Sequence, residues 1–319
     1  MAIAATILKA VAKEGLKAIV TRQLFDKYFP KDFEEQMRDA LARVDAKIDS
    51  IGQDAAFTRV HPVRRAFLLS ATYVQDTFYH TMEQQAKAKT LDPAVAAKLA
   101  DRLMKEIEKL DGNMVDAKEI FDQRAESCDF PVRFLFETMR DMAALRLAMI
   151  SWAHGLYRDL PGGASSAAVL AEKYVRARAD AESFAPKAAA RLIAAREAFI
   201  SFEKKIDYKS GMDVDQFGNR KLDHVVCKYQ DKFSSSYRSD PFAGDRIDHA
   251  VDVEWHWYDF AYRQSKELAL ANAYEDAQRW DREHRDHVAG VGHLNKKHLT
   301  DPTDAYLAEV RKTVPTLEE

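Results

Sequence analysis

The chain has 319 residues, of which only 11 are Gly and 9 are Pro, about 6 % together, against roughly 12 % in an average protein. That shortage excludes folds that spend Gly and Pro on many tight turns, such as sandwiches, barrels and propellers. The hydrophobic share of 47 % excludes a disordered chain, and a formal charge of −3 excludes the global basic excess of a nucleic-acid binder.

Two cysteines, Cys128 and Cys227, sit about 100 residues apart. That spacing makes neither a disulfide framework nor a zinc knuckle. It predicts two thiols in a reducing compartment, with a single structural disulfide as the alternative. The N-terminal stretch is broken by Lys9, Lys13, Glu14 and Lys17 and lacks the apolar core of a secretory signal. The expectation is cytoplasmic synthesis, with any export by a route that needs no signal peptide. The longest charge-free apolar run, Leu147 to Tyr157, is too short to cross a bilayer.

In chain order, residues 3–29 show a helical period that Pro30 ends. Phe33, Met37, Leu41, Val44, Ile48 and Ile51 then follow in steps of 4, 4, 3, 4 and 3, the seam of a helix lying along a partner, stopped at Gly52. A third helix starts near Pro62 with a buried stripe of Val63, Phe67, Ala71, Val74, Phe78 and Met82. Asp92-Pro93 opens a fourth, since Asp caps and Pro is tolerated in a first turn. It is expected to stop at Asp111-Gly112, with a shorter helix over Met114 to Glu126.

Pro131 opens the most apolar segment, which runs to Tyr157 with apolar residues on nearly every face. Such a helix is buried by neighbours on several sides. The fold class is therefore mostly α: a multi-helix bundle around a central apolar helix (131–157). Pro161-Gly162-Gly163 breaks the chain. A long helical stretch from Ser166 to about Ile206 follows, kinked or divided by Pro186.

Residues 207–244 form a small irregular or β-hairpin insert, with a turn around Gly218-Asn219 and Leu222 to Tyr229 as one arm. The next segment is ambiguous. Val251, Val253, Trp255 and Trp257 alternate as a strand does, while Ile247, Val251, Trp255, Tyr258 and Tyr262 fit a helix. The pattern continues without a breaker, and length favours a helix to about His287. Asp301-Pro302 begins a short last helix. The expected organisation is a helical bundle over 1–160, long helices completing it over 164–290, and a tail over 291–319. No internal repeat is found.

The chain has no Gly-rich phosphate loop, HExxH, CxxC or nucleophile elbow, and no signature of a cofactor. Six of its ten histidines lie between His249 and His298. On a helix, His249, Asp252, His256 and Asp259 form one polar stripe. Imidazole and carboxylate at that spacing suit Zn²⁺ or Fe²⁺, or an acid–base pair. The plainer explanation is a solvated helix face. Asp281, His284 and His287 form a second such group in a run charged all round. Asp213, Asp215 and Gly218 are a poor calcium loop, because Phe217 and His224 stand where oxygen ligands are needed.

Trp255 and Trp257, in a crowded aromatic run, suit either a core or a face for a membrane or partner. The first helix carries six cations, Lys9, Lys13 and Lys17 among them, against two carboxylates up to Lys31. A cationic amphipathic helix can lie on an anionic membrane or serve as an ordinary bundle surface.

Phe136 to Trp152 reads FETMRDMAALRLAMISW. This run resembles the central helix of the N-terminal helical domain of insecticidal crystal toxins. Leu145 and Leu147 match that family's repeated Ala-Ala-x-Leu-x-Leu pattern, Ala143-Ala144 is offset, and Arg146 stands where the family has a His. The resemblance implies a non-enzymatic, membrane-acting helical protein of the pore-forming kind. The family's β-rich receptor-binding domains have no counterpart. Two other readings stand beside it. One is a cytoplasmic protein–protein interaction or immunity-type bundle, with self-association as an option. The other is a metal-dependent enzyme using His249, Asp252 and His256.

Overall fold

The computed structural model describes residues 7–8, 29, 33–39, 41–42, 58–127, 130–198, 200–207, 213–214, 220–231, 253–259, 282, 285–286 and 289–317. Among them the protein is a mostly α-helical bundle with a small antiparallel sheet. The chain divides into two compact units. One holds Met1–Leu192, Tyr237–Ser239 and Leu299–Glu319, the other Ile193–Ser236 and Asp240–His298.

In the first unit, α1 (Val60–Tyr73) runs through a π-helical turn, Val74–Tyr79, into α2 (His80–Ala88). The wider turn points Phe78 and Tyr79, adjacent in sequence, both into the core. Phe78 stacks on Trp152 at 4.9 Å and Tyr79 on Phe33 at 5.6 Å. Phe29 sits against all four rings. Aromatic pairs add about 0.5–1.5 kcal/mol each beyond area burial. The stripe Val63, Phe67, Ala71, Val74, Phe78 and Met82 is buried throughout, as its spacing predicts.

Asp92 caps α3 (Pro93–Arg124) by accepting from the Ala94 N–H at 2.8 Å. Here the expected break at Gly112 does not occur: α3 runs unbroken through it. A glycine stops a helix only where the chain turns away. Leu103, Ile107 and Leu110 before it and Ala117 and Phe121 after it are buried along one helix.

The central helix, α4 (Phe130–Asp159), is buried on nearly every face. Its polar residues are buried with it, among them Arg133, Thr138, Arg140 and Asp141. Arg64 of α1, 3 % exposed, meets Asp141 at 3.3 Å and donates to Thr138 Oγ1 at 3.1 Å. Its guanidinium lies about 5 Å from the ring centres of Phe67 and Phe134. On α3, Glu106 is buried and held by Ser70 Oγ, Arg102 and Lys109 at 2.8–2.9 Å.

After α4 the chain turns through Gly162, whose φ is +76°, and Gly163, where a Cβ would lie 1.9 Å from the Tyr157 carbonyl oxygen. α5 (Ala164–Ala198) then crosses Pro186 without dividing, and the unit boundary falls within it. α6 (Asp301–Lys312) completes the first unit. Beyond it, Tyr174 donates to the Val314 carbonyl at 3.0 Å.

The second unit contains a sheet of β1 (Ile200–Asp207), β2 (Asp213–Val214), β3 (Arg220–Asp231) and β4 (Val253–Asp259). β3 is central and pairs antiparallel with the other three, with a bulge against β4 between Lys221 and His224. The expected hairpin is present and larger than its sequence signal. Two helical expectations are corrected here. The helix expected to Ile206 ends at Ala198, because Ile200, Ser201, Phe202 and Glu203 alternate as a strand. The helix expected over 247–287 is a strand at 253–259, where aromatic and β-branched residue types favour pairing with β3.

Candidate functional site: a three-helix groove

A groove of about 550 Å³ lies on the first unit, within the size range of ligand sites. α4 forms its floor through Met139, Ala143 and Arg146, spaced by four and three residues so that they share one helix face. α3 forms one wall and α5 the other. Ala177, Ala181 and Ala188 keep the α5 side shallow, and their small side chains leave the space the groove occupies. Phe121 and Phe184 line it and cluster with Phe136, edge to face or tilted, with centroids 6.2–6.4 Å apart.

Ion pairs tie the two walls together at both ends. At one end Asp111 of α3 lies 2.5 Å from Arg146 Nε and 2.6 Å from Lys173 Nζ. At the other, Arg191 of α5 grips the last turn of α3. It donates to Asp122 Oδ1 at 3.1 Å, to the Asp122 carbonyl at 3.1 Å and to Glu126 Oε1 at 3.0 Å. A cation is well placed there, at the negative end of the helix dipole. The two latches require α3 and α5 to run in the same direction, with α4 antiparallel between them. Asp111 and Asp122 are eleven residues apart, so the stretch between the latches is about 16 Å long on the α3 wall at 1.5 Å per residue.

Between the latches the surface is apolar with charge at its lip. Val115 is 67 % exposed, one of the four exposed large hydrophobic residues among those described. Lys118 and Lys187 both line the groove, are exposed, and make no ion pair among the described residues.

Titration is perturbed elsewhere in the same unit. Burial, followed by Arg158, lowers the pKa of His154, with Asp159 opposing. Burial and a 2.8 Å hydrogen bond to Asp101 push Tyr157 up to about 12. Burial also raises Tyr73 to about 12.

Of the residues singled out by sequence, Lys9, Lys13, Lys17, His249, Asp252, His284 and His287 lie outside the described residues. His256 lies in β4 at the ladder position opposite His224, and Trp255 opposite Val225. Trp257 is also in β4. The i, i+3, i+7 stripe presumed a helix at this point, and a two-residue strand period does not repeat it. Among the described residues no three His, Cys, Asp or Glu side chains gather as a metal-binding group.

The sequence pattern alone does not mark the groove. Its α3 wall, Asp111, Val115, Lys118 and Asp122, is a clear helical stripe that an expected break at Gly112 divides. Comparison of the chain with known protein families, curated proteins and solved structures gives no match. The likeness of Phe136–Trp152 to a toxin helix therefore stands on those residues alone.

Proposed function

We propose that this chain is a non-enzymatic interaction protein that takes a segment of a protein partner into the groove between α3 and α5. The observation that carries this reading is the groove: an open, largely apolar trough between three helices, with ion pairs joining its two walls at both ends. Interfaces draw their energy from a few well-packed apolar anchors in such depressions.

The membrane-acting reading requires the bundle to open and commit α4 to lipid. That helix would bring Arg133, Arg140, Asp141 and Arg146 with it. At roughly 2.5–3.5 kcal/mol for each such residue near the bilayer centre, the cost reaches about 10–14 kcal/mol. Among the described residues no helix is long and apolar enough to cross a membrane.

Affinity capture by the wild type, Ala181→Trp and Leu69→Trp tests the proposal. Ala181 is buried under the groove, while Leu69 is 65 % exposed on α1 and does not line it. One stoichiometric protein partner should be kept by Leu69→Trp and lost by Ala181→Trp, with both variants folded. Equal capture by all three forms refutes the assignment to the groove. Dye release from anionic vesicles at micromolar protein, with no groove-dependent partner, restores the membrane-acting reading.

A further inference from the structure

Resting on that reading, we infer that the occupant of the groove is an acidic amphipathic helix of about three turns contributed by the partner. Length, depth and charge at the site each point to it.

Along α3 the latches at Asp111 and Asp122 are about 16 Å apart, the length of about eleven helical residues. The groove is open to solvent on its outer side, so a helix about 10 Å across settles one face into it and leaves the other in solvent. That is the helix-in-groove mode, in which apolar anchors at i, i+3/i+4 and i+7 enter and polar flanks stay out. The lining suits anchors of this kind: Met139 and Ala143 of α4, with Phe121 and Phe184 from the two walls.

The lip sets the sign of the flanks. The carboxylates at the groove are engaged within the protein. Asp111 is held by Arg146 and Lys173, Asp122 by Arg191, and Asp180 lies 3.9 Å from Arg146. Lys118 on one wall and Lys187 on the other are exposed, and neither has an ion partner among the described residues. A helix settling between them meets an unneutralised ammonium on each side, so carboxylates flanking its apolar stripe are favoured and lysines disfavoured. The two rim pairs together give roughly a tenfold preference, about 1.4 kcal/mol.

The test uses two synthetic peptides of about 14 residues. They share one Leu stripe at helical spacing and differ only in flanks of Glu or Lys. Fluorescence anisotropy with the full chain should show the Glu peptide binding about tenfold more tightly, a preference that shrinks as salt rises from about 0.05 to 0.5 M. The double variant Lys118→Glu/Lys187→Glu should invert the preference, and Ala181→Trp should abolish both peptides' binding.

Equal binding of the two peptides, still lost in Ala181→Trp, overturns the acidic helix and leaves the groove reading standing. Binding of neither peptide overturns the helical occupant, and the capture experiment above then judges the groove separately. Displaceable binding of dodecanoate in place of either peptide overturns the inference in favour of a small anionic amphiphile.

Discussion

Removing the Asp141 carboxylate tests the energetics of the bundle core where they are most exposed to error. In Asp141→Ala the Arg64 guanidinium stays where it is, 3 % exposed, and loses its anionic partner at 3.3 Å. Breaking one side of a buried pair costs about 3–5 kcal/mol, because the remaining charge is left desolvated. Arg64 keeps its bond to Thr138 and the faces of Phe67 and Phe134, each of which offsets part of that loss. The lower end, about 3 kcal/mol, is therefore expected. For a cooperative unit of roughly 200 residues this lowers Tm by about 6–12 °C. The double variant Arg64→Met/Asp141→Leu removes both charges and should lie within about 1 kcal/mol of wild type. Guanidinium unfolding followed by circular dichroism measures both. A cost below 1 kcal/mol for Asp141→Ala, or a double variant as damaged as the sum of its singles, refutes the view that the pair is buried and coupled.

Gly112 lies in the unbroken α3 with open space where a Cβ would go, so Gly112→Ala should raise stability by about 0.5–1 kcal/mol in the same denaturation assay. Gly163 is the opposite case. Its Cβ would overlap the Tyr157 carbonyl oxygen, so Gly163→Ala should lower Tm measurably. His154 has a folded pKa below its unfolded value of 6.5, so the unfolded chain binds the extra proton. Its contribution is complete above pH 6.5 and is lost as pH falls through the folded pKa, at a slope of at most about 1.4 kcal/mol per pH unit. His154→Gln should flatten the wild-type decline in stability between pH 7 and pH 5. Parallel curves for the two proteins contradict this assignment.

The helical stripes were legible because each is local. Val63 to Met82 sets its buried face by spacing alone, and Asp92-Pro93 sets a helix start by capping chemistry that needs no distant partner. Sequence and structure part where a local signal has two outcomes decided by tertiary contacts. Gly112 is a stop in one context and a tolerated interior residue in another. Val253 to Asp259 reads equally as strand or helix until β3 lies beside it. The buried charges of α4 were hidden for the same reason. Asp141 finds Arg64 across 77 residues, and no spacing rule announces that pairing. The groove is assembled from three helices, so only its walls were present in the sequence, as unremarked stripes on α3 and α5.

A photo-crosslinking residue placed at Val115, inside the groove, and separately at Leu69, outside it, addresses the central claim most directly. Irradiated in the cells that make the chain, the Val115 form should link to one protein partner. The crosslinked peptide should be acidic and amphipathic, and the Leu69 form should not produce it. Identical products from both positions, or none from Val115 while the protein remains folded, would contradict a groove that receives a partner.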